Sequence, residues 1–198
     1  MITNHLYPLD QALWQHIASS DPQAYSEVYV YYFKRLFNYG RKFTEEETLI
    51  EDAIQETFIT LWNYRHRMHS IKSPQSYLFY TFRNTLFYKL KQEKKRGMKE
   101  DAAIFEPEFN AEHLIIKAET DAALQKELQK ALEQLPARQR EAIFLRFYEE
   151  LPYEQIAEVM QISVHATYKS VSKALIQLRD KMGLPMGMIL FIMEYMLR

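Results

Sequence analysis

The residues best placed to do chemistry lie in 163–179, SVHATYKSVSKALIQLR. His165, Ala166, Lys169, Ser170 and Lys173 share one side of a helical pattern; Val164, Thr167, Val171, Ala174, Leu175 and Leu178 take the other. Three basic residues and no acidic one occur from Ser163 to Arg179. Such a helix can lie in a DNA major groove, with its first polar side chains near base edges and its lysines near phosphates. Ser163 suits the N-cap, where its hydroxyl accepts a free N–H of the first turn. Upstream, Ile156, Ala157, Val159 and Met160 give a short helix one buried face, with Pro152 at its first position. Gln161 and Ile162 make the turn between the two. Gly is common there, and a residue with a Cβ is penalised if the turn needs the left-handed region. The pattern is a helix-turn-helix, but two amphipathic helices with solvated lysines satisfy it equally.

A second group lies in SYLFYTFRNTLFYKLKQEKKR, within a helix expected over residues 74–96. Leu78, Phe79, Phe82, Leu86 and Leu90 form the expected buried stripe. Tyr77, Tyr80, Arg83, Asn84, Phe87, Tyr88, Lys91, Lys94 and Lys95 fall elsewhere around it. Rings interleaved with cations suit a single-stranded nucleic acid, because rings stack on bases and cations follow the backbone. A core helix with a basic end explains the Phe and Leu positions, but explains less well six basic residues between Lys89 and Lys99.

No catalytic constellation accompanies these groups. There is no glycine-rich phosphate loop and no Ser/His/Asp arrangement with supporting context. His66 and His69 have a possible ligand spacing without a third ligand nearby, so no metal and no cofactor is expected. The chain has no Cys, which excludes disulfides and thiolate chemistry and suits a reducing cytoplasm. The N-terminal MITNHLYPLDQALW lacks the basic region and apolar run of a signal peptide. Net charge is −1, yet its distribution is uneven: seven basic residues against one acidic over 83–99, then three against nine over 100–133. Local fields of this kind, rather than the total, govern binding to nucleic acid.

The elements that must position these groups are helical throughout. With 198 residues, four Gly, 47% hydrophobic content and few alternating stretches, the chain reads as all-α. A short helix over 10–19 ends at Asp21-Pro22. The aromatic-rich segment 23–41 packs a core through Tyr25, Val28, Tyr29, Tyr32, Phe33, Leu36, Phe37 and Tyr39. Thr44 to Glu47 reads as a capping box opening a helix to about Arg67. Ile50, Ile54, Phe58, Leu61 and Arg65 line one face of it. Asp52, Gln55, Glu56, Ile59 and Asn63 line another, with Trp62 at the edge, a surface suited to a basic partner helix or simply to solvent. Residues 66–72 form a basic connector, and Ser73-Pro74 starts the next helix. Residues 97–119 are acidic, contain Pro107 and lack periodicity, as an interdomain linker would. Helices resume over 120–134 and after Leu135-Pro136. The tail 183–198 is apolar apart from a few residues and too short to span a membrane, which takes about 20 residues. It is expected to pack on the second domain or dock to a partner.

Three segments in this order resemble the extracytoplasmic-function (ECF) group of bacterial RNA polymerase sigma factors. EDAIQETFITLW resembles the group's polymerase-binding helix, D-x-x-Q-E-x-F. SYLFYTFRNTLFYKLKQEKKR resembles its Y-L-x-x-x-x-R-N promoter-opening helix, and LPARQREAIFLRFYEELPYEQIAEVMQISVHATYKSVSKALIQLR its −35-reading domain. The resemblance implies a two-domain promoter-specificity subunit without catalysis: a region 2 domain over 1–96, the acidic linker in the RNA-exit path, a region 4 helix-turn-helix domain over 120–182, and a hydrophobic extension over 183–198. It implies contact with core RNA polymerase through Asp52, Gln55, Glu56, Ile59 and Trp62. It implies −10 DNA contacts by His69, Lys72, Ser73, Tyr77, Arg83, Asn84, Tyr88, Lys91, Lys94 and Arg96, the 69–73 connector lying near a flipped base. For −35 DNA it implies Ser163, His165, Ala166, Lys169, Ser170 and Lys173. An anti-sigma partner, a cytoplasmic location, no membrane insertion and a monomeric free state also follow. Ala166-Thr167-Tyr168 departs from the group's usual Thr-Val-Lys, so base preference does not transfer. The tail resembles extensions in Bacteroidetes members. A stand-alone helix-turn-helix regulator and a helical interaction protein remain as alternatives.

Overall fold

The break at Asp21-Pro22 is a helix cap. Asp21 accepts from the N–H groups of Gln23 (2.8 Å) and Ala24 (3.4 Å), with Pro22 opening the helix. In the computed structural model, which describes residues 11–96 and 122–196, the regular elements among those residues are all helices. The N-terminal residues 1–10 and the linker at 97–119 lie outside the described residues. The chain divides into two compact units, Met1–Phe105 and Glu106–Arg198.

The first unit contains α1 (Gln11–Ala18), α2 (Pro22–Gly40), α3 (Glu47–Asn63), a 3-10 segment (Arg65–Ser70) and α4 (Pro74–Arg96). Its core is one aliphatic and aromatic layer: Val28, Tyr32, Leu36 and Tyr39 from α2, Ile50, Ile54, Phe58 and Leu61 from α3, and Leu78, Phe79, Phe82 and Leu86 from α4. Gly40 permits the closest approach. A Cβ there would lie 2.7 Å from Ile50 Cγ2 and 3.1 Å from Phe82 Cζ, so three helices meet where no side chain fits. Lys42, just beyond α2, is buried, and that burial, with Arg41 beside it, lowers its pKa to about 7.

Several expectations change in this unit. The capping box does not form: Thr44 Oγ1 accepts only from the Glu46 N–H (3.2 Å), and the Glu47 carboxylate takes Arg41 (2.8 Å) instead of reaching back. An available guanidinium outcompetes a backbone N–H for a carboxylate, because both partners carry charge. Helix α3 ends at Asn63, not near Arg67. Arg65 does not extend the apolar face; its guanidinium bonds Ser20 Oγ (2.8 Å) and the Trp62 carbonyl (2.7 Å), which also takes a backbone N–H at the helix end. The basic connector forms a 3-10 segment packed on α1, with Met68 buried. Leu90 is only half-buried, since α4 runs past the end of the core.

The second unit contains α5 (Ala122–Glu133), α6 (Ala137–Ile143), a π-helical turn (Phe144–Tyr148), α7 (Tyr153–Met160), α8 (Val164–Met182) and α9 (Met186–Met196). Pro152 stands one position earlier than expected, at the N-cap of α7, and Pro136 is the N-cap of α6. Leu128 and Leu132, Ile143 and Phe144, Ile156 and Val159, and Val171, Ala174 and Leu178 make the core. Helix α9 packs Ile189, Ile192 and Met193 inward, against α8 among its neighbours, and turns Met188, Leu190 and Phe191 outward. No helix among the described residues is long and apolar enough to cross a membrane.

Candidate nucleic-acid interface

Helix α7 ends in a left-handed residue. Gln161 has φ 56° and ψ 46°, and the two hydrogen bonds of a Schellman motif close around it: Ile162 N–H to Ala157 O (3.0 Å) and Gln161 N–H to Glu158 O (3.3 Å). The turn does require the conformation that favours Gly, and Gln161 adopts it. Ser163 then caps α8, accepting from the Ala166 N–H at 3.1 Å, while buried Thr167 donates its hydroxyl to Ser163 O at 3.2 Å. Both bonds fix where α8 begins. His165, Lys169 and Lys173 are exposed on its outer side, Ser163 is exposed at its start, and Ala166 and Ser170 are half-buried along one flank. Sequence reasoning left out Ser172, exposed between the lysines, and Tyr168, which is 46% exposed and stacked on Tyr153.

On α4, Ser73 Oγ accepts from the Ser76 N–H at 3.3 Å, and Ser76 returns its hydroxyl to Ser73 O at 3.1 Å. At about 100° per residue, Tyr77, Tyr80, Arg83, Asn84, Phe87, Tyr88, Lys91, Lys94 and Lys95 span an arc of about 140°. That arc lies away from the buried Leu78, Phe79, Phe82 and Leu86. Tyr88, Lys91 and Lys94 are exposed; Tyr77, Arg83 and Asn84 are half-buried. The Arg83 guanidinium lies 4.2 Å from the Phe87 ring centre, and Phe87 meets Phe43 edge-on at 5.0 Å, so this cation is held rather than swinging in solvent. Tyr88, Lys91, Gln92 and Lys95 line an open recess. Tyr80 and Lys95, both exposed, carry the same face beyond the residues expected to contact −10 DNA. His69 and Lys72 are exposed in and beside the 3-10 segment, and Ser73 is half-buried; the side chain of Arg96 lies outside the described residues. A surface of rings and cations on one arc can stack unpaired bases and follow a phosphate backbone.

On α3, Asp52, Gln55, Glu56 and Ile59 are all exposed, Ile59 at 58%. Trp62 is half-buried, with Tyr25 edge-on at 5.0 Å and the Arg65 guanidinium 4.4 Å from its ring centre. Glu56 Oε2 pairs with Lys89 Nζ of α4 at 3.1 Å. The stripe therefore ends on a fixed aromatic rather than a mobile one.

Comparison with known proteins places these faces in a family. Residues 28–96 match the model for Sigma-70 region 2, and residues 125–178 match that for Sigma-70 region 4. Over 150 residues the chain is 30% identical to the ECF RNA polymerase sigma factor SigM of Bacillus subtilis (strain 168), covering 73% of this chain and 86% of that protein. The chain belongs to the ECF sigma factors. It is also 25% identical over 172 residues to the RNA polymerase sigma-H factor of Pseudomonas aeruginosa, covering 83% of this chain and 89% of that one. Two solved structures share the fold. The sigma factor RpoE of Bartonella quintana, crystallised with the anti-sigma factor NepR, gives a TM-score of 0.56 at 20% identity, over 81% of this chain and 97% of that one. CnrH in complex with the cytosolic domain of CnrY gives 0.55 at 18%, over 88% and 97%. This sigma factor acts in transcription initiation, with core RNA polymerase and promoter DNA as its partners. Sigma factors are not enzymes. The region 2 match contains the α3 stripe and the α4 arc, and the region 4 match contains α7 and α8 as far as Leu178 and so ends before α9.

Proposed function

We propose a division of labour among the three faces of this sigma factor. Asp52, Gln55, Glu56, Ile59 and Trp62 dock core polymerase. The α4 arc, with His69, Lys72 and Ser73 before it, takes the −10 element and stabilises its opened strand through Tyr77, Arg83, Asn84, Tyr88, Lys91, Lys94 and Arg96. Ser163, His165, Ala166, Lys169, Ser170 and Lys173 of α8 take the −35 duplex. The domain limits follow: 1–96 for the polymerase and −10 functions, 97–119 as linker, 120–182 for −35 reading and 183–198 as an extension of the Bacteroidetes kind. The reading includes a cytoplasmic, monomeric free chain without catalysis of its own. An anti-sigma partner is part of it, since both structural neighbours were solved with a partner protein, in one case named as an anti-sigma factor. The observation that carries the proposal is the α4 arc, where rings and cations share one side of a helix whose other side is core. Stacking and phosphate contacts are what an unpaired strand offers.

The test adds the protein to sigma-free core polymerase with fragmented host DNA and maps transcript 5′ ends. New starts sharing an upstream motif, abolished by Gln55→Ala/Glu56→Ala, are the expected result. Fragments bound without polymerase and no new starts would instead mark a stand-alone regulator.

A further inference from the structure

Helix α8 exposes three apolar side chains that a phosphate-binding face does not need; Ile176 lies far along the helix, and Val164 and Tyr168 lie in its first two turns. Val164 is 37% and Tyr168 46% exposed. They are one helical turn apart, so they share a side of α8 beside the cationic row. Tyr168 is also not loose. Its ring lies 3.9 Å from that of Tyr153, at 19° to it, and the Arg146 guanidinium is 5.5 Å from the Tyr153 ring centre. Arg146 is itself tied to the Leu151 carbonyl at 3.5 Å. The stack fixes the ring's position while leaving nearly half of the residue exposed. An oriented, neutral, half-exposed ring on a helix bound for the major groove meets one apolar feature there, the C5-methyl group of thymine.

We infer that Tyr168, seated on Tyr153 and flanked by Val164, recognises a thymine methyl in the −35 element and sets base preference at that position. The inference rests on the proposal that α8 reads duplex DNA. Tyr153 is then a positioning residue: it touches no base and holds the ring that does. The contact carries no charge, so its loss changes which sequence is bound without changing how binding depends on salt.

The experiment uses the full chain assembled with core polymerase on a promoter duplex in which each thymine upstream of the start is replaced, one at a time, by deoxyuridine. This exchange removes only the methyl group. One position should weaken binding by about 3- to 10-fold, on the order of a buried methyl contact. Tyr168→Ala should be indifferent to that exchange, and Tyr168→Phe should retain it. In all three proteins the slope of affinity against salt should be the same. Absence of any methyl-sensitive position overturns the inference, and this arm needs no variant to fold. Equal sensitivity in Tyr168→Ala overturns it too, as does a Tyr168→Phe loss matching Tyr168→Ala, which would assign the contact to the hydroxyl. Lys169→Ala and Lys173→Ala separate this from the underlying reading, because each should lower the salt slope by about one. If neither changes binding or slope, α8 does not read DNA at all.

Discussion

Replacing Gln161 by Gly should make the second unit more stable, although it removes a side chain from the centre of the DNA-binding motif. Gln161 stands at φ 56° and ψ 46°, locked by the Ile162-to-Ala157 and Gln161-to-Glu158 hydrogen bonds. A Cβ in that region costs about 1–2 kcal/mol. Glycine escapes this penalty but gives back about 0.5–1 kcal/mol through its freer unfolded chain. The net gain is about 0.5–1 kcal/mol, which in a unit this small raises the midpoint by about 2–8 °C. Both tryptophans, Trp14 and Trp62, belong to the first unit, so tryptophan emission follows that unit alone. The gain should therefore register in far-UV circular dichroism and in slower amide exchange along α8. Gln161→Val, whose β-branch tolerates the left-handed region worst, should move both the other way. A neutral or lowered midpoint for Gln161→Gly would mean that this turn holds no strain, and the argument would fail.

Gly40→Ala should destabilise the first unit by about 1–3 kcal/mol, because its methyl must displace Ile50 and Phe82; urea unfolding followed by tryptophan emission measures it. Lys42 imposes a pH dependence. Its folded pKa is about 7 against an ordinary 10.5, so between those values the unfolded chain binds more protons and stability rises with pH. Below about pH 7 the folded chain must hold the buried charge, and the penalty is complete. Lys42→Met should therefore flatten the stability profile between pH 7 and 10 and gain most at pH 6, as read by denaturant midpoints. Gln55→Ala/Glu56→Ala should abolish polymerase binding while shifting stability by less than about 1 kcal/mol, because the Glu56–Lys89 pair is largely exposed on the Glu56 side. A large stability loss would show that the pair is structural.

Much of this was legible because local rules and tertiary packing agree. Ser73-Pro74 and Ser163 mark helix starts by chemistry that operates within three residues, and they start helices here. The apolar stripe of α3 buries as its periodicity requires, and that of α8 does so at Thr167, Val171, Ala174 and Leu178, while Val164 stays exposed and Leu175 half-buried. The misreadings arose where a distant group intervened. Arg41 removed Glu47 from the capping box, and Ser20 drew Arg65 away from a helix that periodicity would have continued. In the candidate site, the cationic row and the α4 arc could be read from spacing. Tyr168 could not: its partner, Tyr153, is fifteen positions earlier and meets it only once the turn at Gln161 closes. Two tyrosines at the starts of adjoining helices were the available signal.

Helix α9 has a further consequence, which concerns colloidal behaviour. Its outward Met188, Leu190 and Phe191 lie on a chain whose net charge is −1 and whose isoelectric point is about 6.6. Near neutrality almost no mean repulsion separates two copies, while each presents an apolar strip. The solubility minimum should fall near pH 6.6 and deepen with salting-out ions, which penalise exposed apolar surface further. A change of strip charge, as in Leu190→Glu, would raise the ceiling on concentration while leaving the inward Ile189, Ile192 and Met193 in place.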